Sequence, residues 1–289
     1  MEFGFFEGNF MKVFKPINNN IVSALDKDGR EVVVIGKGLG YKARQGTEIP
    51  PEKIDKMFVM SSQNNLDRLK ELFASLPSAY IELTDEIFEY AKLHLEKRLN
   101  EAAYFTLADH ISFAATRHRQ GMAFQNLLLP EVRRFYPKEF EIGMYALRLM
   151  KEKLDIDMPE DEAASIAMHI LNAEYDISIS ETFRATRLMD QITAIVTAET
   201  GYLIDAKNYY GERFLTHLRY LAQRIIRNEP LPNQDKDTFF DLLAEQYPKE
   251  MQCAKAVAAA MFEAHQFTLS DEEISGLTIH IRRVGSHKI

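Results

Sequence analysis

The sequence predicts an α+β multidomain protein, in which a small antiparallel β-sheet head is followed by two homologous all-α helical bundle domains. Two observations predict this class: short β-branched runs are confined to the first sixty residues, and a helical pattern occurs twice after about residue 80. The 289 residues, 46% hydrophobic and 27% charged, are typical of a globular protein of several domains. No apolar run approaches the roughly 20 residues that span a bilayer. We therefore expect a cytoplasmic protein without membrane insertion.

The β-sheet head is predicted from four short runs rich in β-branched and apolar residues. Asp28-Gly29 lies between two of these runs and indicates a tight hairpin, because glycine tolerates the positive φ of such turns. About fifty residues of sheet bury too little apolar surface to be comfortably stable alone, which favours a homodimer. The predicted strands are Lys12–Ile17, Ile21–Leu25, Glu31–Ile35 and Lys56–Met60.

Composition and pattern divide the chain into a series of segments. A leader of uncertain origin (1–10) precedes the β domain (11–65), and a linker (66–78) connects it to the first helical domain (79–177). The second helical domain covers 182–289, after a short connector predicted at Tyr175–Glu181. Residues 11–60 hold nine Lys and Arg against six Asp and Glu, whereas the whole chain has a net charge of −8. Only the head therefore has the sign that a phosphate backbone attracts.

The helical part contains an internal repeat. The tetrapeptide Tyr136–Glu139 (YPKE) recurs as Tyr247–Glu250, and each tyrosine is followed 33 residues later by a histidine, His169 or His280. A glutamate lies seven residues before each of those histidines. Such matched spacing indicates that one helical module has been duplicated.

A second histidine precedes each repeated tetrapeptide. His110 and His217 each have an arginine seven residues further on, Arg117 and Arg224. On a helical wheel, all four histidines fall at the shoulder of an apolar stripe, where an interface or a shallow pocket would lie. The remaining histidines, His94, His118, His265 and His287, have no counterpart in the opposite copy.

Three kinds of chemistry are compatible with paired histidines, besides a purely structural role. A metal site is disfavoured because no third ligand has a regular spacing and the single Cys253 excludes a cysteine-rich zinc site. Acid–base catalysis is disfavoured because no nucleophile, phosphate cradle or cofactor motif accompanies the histidines. Phosphoryl acceptance fits best, because imidazole has a pKa of about 6.5 and is mostly neutral and nucleophilic at neutral pH. Arg117 and Arg224 are then candidate partners for the added phosphate.

These features together resemble the sugar-responsive transcriptional antiterminators of the β-glucoside/sucrose operon type, and the resemblance covers residues 11 to about 285. In the head it rests on Ile17–Asn20 (INNN) and Gly36–Tyr41 (GKGLGY). In the helical modules it rests on LADHISFA at Leu107–Ala114, YPKEF at Tyr136–Phe140, PEDEAASIAMHILNAE at Pro159–Glu174, FLTHLRYLAQR at Phe214–Arg224 and LTIHIRRV at Leu277–Val284.

The resemblance implies a regulator that is not an enzyme and needs no cofactor or metal. Its dimeric head would bind a partly double-stranded hairpin in nascent mRNA and block an overlapping terminator. Its two helical domains would be phosphorylated by the sugar phosphotransferase system. The sugar-specific permease would inhibit through the first domain, and the general phosphocarrier protein would activate through the second. The implied phosphorylation sites are His110, His169, His217 and His280.

Five residues of the head match the positions that bind RNA in the family: Lys15, Asn20, Gly36, Lys37 and Tyr41. Their chemistry suits this role, because lysine meets phosphate, asparagine both donates and accepts, and tyrosine stacks on unpaired bases. Turn geometry is an equally good explanation for the glycine. Lys37 replaces a common arginine and Tyr41 a common phenylalanine, which bears on which hairpin is preferred.

Two other functions remain as alternatives. A phosphohistidine-regulated DNA-binding activator would need a helix-turn-helix at the N-terminus, where the pattern indicates strands. A phosphocarrier protein or phosphoryl-transfer enzyme would be expected to carry a nucleotide motif, and no P-loop sequence is present.

Overall fold

Alternating β-branched segments at the start of the chain form a five-stranded antiparallel sheet with the order β4-β1-β2-β3-β5. The computed structural model describes residues 11–59, 63–100, 102–175, 177–231 and 238–286. The predicted leader lies outside these residues. The strands are β1 (Met11–Pro16), β2 (Ile21–Leu25), β3 (Glu31–Ile35), β4 (Glu48–Ile49) and β5 (Lys56–Phe58).

The predicted hairpin is confirmed between β2 and β3. Gly29 adopts φ +74°, and the Asp26 carboxylate accepts hydrogen bonds from the backbone N–H groups of Asp28 and Arg30, both at 2.9 Å. The register pairs Ile21 with Ile35 at the other end of the hairpin. The loop that follows Ile35 therefore lies beside the loop that precedes Ile21.

Both faces of the central strands are covered, since all three residues Val32–Val34 are fully buried. One face packs in a core with Met11, Val13 and Ile49. On the other, Phe58 packs against Phe73 of a helix that runs from Gln63 to Ser75, with ring centroids 6.2 Å apart. The linker segment is therefore part of the folded head.

The remaining chain is helical, as predicted. Within the described residues the helices are α1 (Gln63–Ser75), α2 (Ser78–Leu95), α3 (Ala102–Arg119), α4 (Leu129–Phe135), α5 (Pro137–Leu154), α6 (Glu160–Tyr175), α7 (Ile179–Thr200), α8 (Tyr209–Arg227), α9 (Thr238–Gln246), α10 (Pro248–His265) and α11 (Asp271–Ser286). The chain divides into two compact units, one extending to Glu86 and including Tyr104–Gln120, the other comprising Ile87–Ala103 and the residues from Gly121 onward.

The helical series repeats in the order that the sequence predicts, with α7–α11 following the pattern of α2–α6. The two tetrapeptides begin α5 and α10, where Tyr136 and Tyr247 precede proline with the same backbone conformation (φ −132°, ψ 55° and 59°). Both helices end at a residue in the left-handed conformation, Asp155 and Gln266. This local agreement supports a duplication.

The connector predicted at Tyr175–Glu181 is largely wrong, because α6 continues to Tyr175 and α7 begins at Ile179. The physical reason is a capping box. The Ser178 hydroxyl accepts a hydrogen bond from the Glu181 backbone N–H (3.1 Å), and the Glu181 carboxylate accepts one from the Ser178 N–H (2.8 Å). The same polar residues that suggested a loop begin a helix.

Two features of the described residues bear on function. Among them, no helix is both long enough and apolar enough to cross a membrane. No group of three or more His, Cys, Asp and Glu side chains in the described part of the chain is arranged to hold a metal ion.

Candidate functional site

Two loops meet at one end of the sheet and hold each other in place. The Asn20 side-chain oxygen accepts a hydrogen bond from the Gly38 N–H, and the Asn20 backbone carbonyl accepts one from Gly36, both at 2.9 Å. The Gly40 N–H donates to the Asn19 carbonyl at 3.0 Å. The side chains of these loops are therefore presented from a fixed backbone.

This end of the sheet carries exposed cationic and aromatic side chains. Lys15 at the end of β1 is exposed, as are Lys37 and Tyr41 in the loop after β3. Tyr41 is 63% exposed, and the Lys42 ammonium lies 5.3 Å from the centroid of its ring. An exposed aromatic ring beside lysines can stack on a base while the lysines contact phosphates. Lys42 was not among the predicted residues, although it directly follows Tyr41.

Asn20 and Gly36, the other two predicted RNA-binding residues, both have a structural role. A Cβ atom on Gly36 would lie 1.8 Å from the Lys53 carbonyl oxygen, so only glycine fits there. The Asn20 side-chain oxygen is used within the fold, and the residue is half-buried. Asn20 and Gly36 therefore fix the shape of the surface. The exposed side chains on it are those of Lys15, Lys37 and Tyr41.

The histidines of the second module lie together. The rings of His217 on α8 and His280 on α11 stack, with centroids 4.6 Å apart and planes inclined by 23°. Burial lowers the pKa of His217 to about 4, and the positive charges of protonated His280 and of Arg224 act in the same direction. Burial also lowers the pKa of His280, helped by Arg283 and Arg213. Both imidazoles are therefore neutral at pH 7, the form that can accept a phosphoryl group.

Arg224, the predicted phosphate partner, already has an anionic partner. Its guanidinium forms an ion pair with Glu273 (2.7 Å), whose carboxylate is almost fully buried. The other carboxylate oxygen of Glu273 accepts a hydrogen bond from the Ser270 N–H (2.8 Å) and completes the cap of α11. The glutamate that the repeat identified seven residues before His280 thus connects α11 to α8.

The histidines of the first module belong to different compact units. His110 lies half-buried on α3. His169 on α6 is 7% exposed, which is deeper than the shoulder position that the helical wheel predicts. By contrast, His94, His118 and His265 are exposed, and His287 lies outside the described residues. The four matched histidines thus differ in burial from the unmatched ones.

A buried ionic cluster, which sequence analysis missed, joins α5 and α6 to α8. It consists of Glu139 on α5, Glu174 on α6 and Arg219 on α8. Its members line a cavity of about 380 Å³. Burial raises the pKa of Glu139 to about 7, although the charge of Arg219 opposes this, and nearby Glu174 raises it further. For Glu174, burial is outweighed by hydrogen bonds from Lys97 and Tyr175, so its pKa is lowered. The repeated tetrapeptide ending at Glu139 was the available signal, but it served only to identify the repeat.

Comparison with known protein families matches three segments of the chain. The model of the CAT RNA binding domain matches residues 11–67, and the model of the PRD domain matches residues 85–173 and 190–284. Transcription antiterminator LicT of Bacillus subtilis (strain 168) is 36% identical over 274 residues, which cover 95% of this chain and 99% of that protein. The beta-glucoside operon antiterminator of Dickeya chrysanthemi is 37% identical over 276 residues, covering 96% and 97%.

A solved structure described as the crystal structure of GlcT CAT-PRDI is also similar. It is 32% identical, has a TM-score of 0.52, and the match covers 58% of this chain and 99% of that one. The similarity thus extends from the sequence to the fold.

Proposed function

The chain belongs to the family of transcription antiterminators that join a CAT RNA-binding domain to two PRD domains, and from this premise we propose that it binds a hairpin in nascent mRNA that overlaps a terminator. The observation that carries the proposal is the cationic and aromatic end of the sheet, where Lys15, Lys37 and Tyr41 are exposed on hydrogen-bonded loops. Binding there would stabilise the hairpin, and the overlapping terminator could then not form. Transcription, which we place in the cytoplasm, would therefore continue.

We further propose that the sugar phosphotransferase system controls this activity by phosphorylating His110, His169, His217 and His280. The phosphoryl group would pass from a phosphohistidine of the donor protein to an imidazole nitrogen. The donor's N–P bond breaks as the new N–P bond forms, and the N–H proton that the accepting ring loses is balanced by the proton that the donor ring takes up. The sugar-specific permease would inhibit through the first module, and the general phosphocarrier protein would activate through the second. The neutral state of His217 and His280 supports the second assignment.

The active form is proposed to be a homodimer formed through the head. A dimer would present two copies of the loop surface to one hairpin, which increases the charge available to the RNA backbone. The chain is proposed to act as a regulator without a catalytic reaction of its own. The alternative of a DNA-binding activator is less well supported, because the N-terminal domain is a sheet and matches a CAT RNA binding domain.

RNA binding is tested by gel shift of the full chain with an RNA hairpin that overlaps a terminator, beside DNA duplex of the same sequence. We expect binding of the RNA in preference to the duplex. Equal binding to both, or no RNA binding at low salt, would contradict the proposal.

Phosphorylation is tested by incubating the chain with the phosphotransferase components and mapping phosphohistidine by mass spectrometry. We expect label on the four matched histidines. Label confined to His94, His118 or His265 would reject the site assignment. Sedimentation of the labelled and unlabelled chain, with and without RNA, measures the proposed dimer.

A further inference from the structure

The two modules contain the same tyrosine and buried glutamate at the start of the same helix. Tyr136 and Glu139 begin α5, and Tyr247 and Glu250 begin α10; both glutamates are 5% exposed. A buried carboxylate is costly unless a cation or several hydrogen bonds compensate it. A positive partner at this place therefore stabilises each module.

In the second module the partner comes from the module itself. The Arg282 guanidinium lies 5.4 Å from the centroid of the Tyr247 ring, and its Nη1 is 3.7 Å from Glu250 Oε1. The Tyr202 hydroxyl donates to the same carboxylate at 3.0 Å. Arg282 follows His280 by two residues.

In the first module the equivalent position holds no cation. The residue two after His169 is Leu171, which is buried. The arginine that lies over the Tyr136 ring is instead Arg219 on α8 of the second module, 4.9 Å from the ring centroid. The first module thus uses a cation supplied by the second.

Arg219 is held by several groups of the first module at once. Its guanidinium donates to the Tyr175 hydroxyl and lies 4.9 Å from the Tyr175 ring centroid. Burial disfavours its charge, but Tyr175 and Glu139 outweigh burial and raise its pKa. Arg219 therefore remains charged where α8 meets α5 and α6.

The hydrogen bonds of this cluster are incomplete. Among the described residues, Arg219 Nε and Glu174 Oε2 are buried without a hydrogen-bond partner. A partly satisfied buried network contributes less to stability than a complete one, so the contacts that Arg219 does make matter more. A displacement of α8 would therefore alter how the modules pack.

Arg219 follows His217 by two residues on α8, so the two side chains project about 200° apart around the helix axis. His217 stacks on His280 inside the second module, while Arg219 enters the first. The Nδ1 atom of His217 is buried, and a Cβ atom on Gly276 of α11 would lie 3.5 Å from its Nε2, so a phosphoryl group on either nitrogen would require α8 and α11 to separate. The same movement of α8 would displace the guanidinium.

We propose that Arg219 is a positioning residue that transmits phosphorylation of His217 to the first module, through its contacts with Tyr136 and Tyr175 and the attraction of its charge to Glu139. The proposal rests on the proposed function, in which His217 is a phosphorylation site. A substitution of Arg219 would then uncouple the modules without preventing phosphorylation.

The test uses hydrogen exchange of the full chain, with His217 either phosphorylated or free, in the wild type and in Arg219→Gln and Arg219→Lys. We expect phosphorylation to change the amide exchange rates in α5 and α6 of the wild type by at least about fivefold, which is the lower end of the range for typical coupling between two sites. Arg219→Gln should reduce the change to less than about twofold, and Arg219→Lys should be intermediate because it lacks the planar fork. Mass spectrometry should find equal phosphate on His217 in all of them.

The matched control is Arg282→Gln, which removes the equivalent arginine inside the second module. It should lower stability as Arg219→Gln does, yet retain the exchange response in α5 and α6. An equal response in wild type and Arg219→Gln would overturn the proposal and leave the proposed function intact. A wild-type chain that takes no phosphate on His217 would overturn both, whereas RNA binding is tested separately.

Discussion

The imidazole rings of His217 and His280 stack face to face, 4.6 Å between centroids, although 63 residues separate them in the chain. Because the rings are in contact, a positive charge on one of them disfavours protonation of the other. A phosphoryl group on His217 would also crowd the interface of the two helices, because a Cβ atom on Gly276 of α11 would lie 3.5 Å from the Nε2 atom of that ring.

Acidification should destabilise the second module through His217. The pKa of this ring is lowered from 6.5 to about 4, chiefly by burial, so the unfolded chain binds the proton more readily than the folded one. Stability is therefore complete above about pH 6.5 and is lost as the pH falls towards 4. The loss is on the order of 2 kcal/mol. Urea unfolding of wild type and His217→Gln at several pH values measures it.

The comparison of those two proteins isolates the histidine, because the carboxylates titrate in both and cancel in the difference. The advantage of wild type over His217→Gln in free energy of unfolding should shrink as the pH falls from 6.5 to 4. Parallel stability curves for the two proteins would contradict the prediction.

Negative charge at His217 should raise the pKa of His280. The ring of His280 is held neutral by burial and by nearby Arg283 and Arg213, and an adjacent anion stabilises its charged form. Phosphohistidine carries a charge of about −2, so it should raise this pKa more than His217→Asp does. NMR titration of the His280 ring in the three states measures the order. A His280 pKa that is the same in wild type and His217→Asp would show that the rings do not interact as the structure indicates.

The ion pair between Arg224 and Glu273 should stabilise the packing of α8 against α11. Glu273→Gln keeps an oxygen that can accept from the Ser270 N–H but removes the charge that faces Arg224. Leaving a partly buried guanidinium without its carboxylate should cost about 1–3 kcal/mol. Thermal unfolding measures the loss.

Glu272→Gln is the matched control for that substitution. Glu272 is the neighbouring residue in the first turn of α11, and its side chain is exposed. It should change stability by less than about 0.5 kcal/mol. Equal effects of the two substitutions would indicate that the helix N-terminus, and not the contact with Arg224, accounts for the loss.

The sequence was sufficient for the class of fold because its signals are local. The β2–β3 hairpin follows from Asp28-Gly29, and the repeated helices follow from apolar spacing and from the two YPKE tetrapeptides. Strand β4 was not predicted. It has only two residues, and it exists because Met11 and Lys12 of β1 offer it a pairing edge. Such an element has no pattern of its own.

The same distinction applies to the candidate sites. Matched spacing identified the histidines, but it gave no means to foresee that His217 and His280 touch. The position of Arg219 was harder still to predict. The repeat aligns Leu171 with Arg282, but only the structure shows that Arg282 lies over Tyr247 and that Arg219 takes the equivalent place over Tyr136. Contacts between helices far apart in sequence depend on packing, which the apolar pattern of each helix alone does not specify.

RNA binding should depend on Lys37 and Tyr41 in different ways. Lys37→Ala should weaken binding and make it less dependent on salt, because one phosphate contact with its counterion release is lost. Tyr41→Ala should weaken binding by roughly 1–3 kcal/mol with little change in the salt dependence, because it removes a stacking surface. Tyr41→Phe should retain most of the affinity. Gel shifts of the full chain at several salt concentrations separate the two contributions.

Lys27→Ala is the matched control for Lys37→Ala. Lys27 is exposed and carries the same charge, but it lies in the β2–β3 hairpin turn at the opposite end of the sheet. It should leave both the affinity and the salt dependence close to wild type. If Lys27→Ala and Lys37→Ala weakened binding equally, general attraction to a positive head would explain the affinity, and the loop surface would lose its assignment as the RNA-binding site.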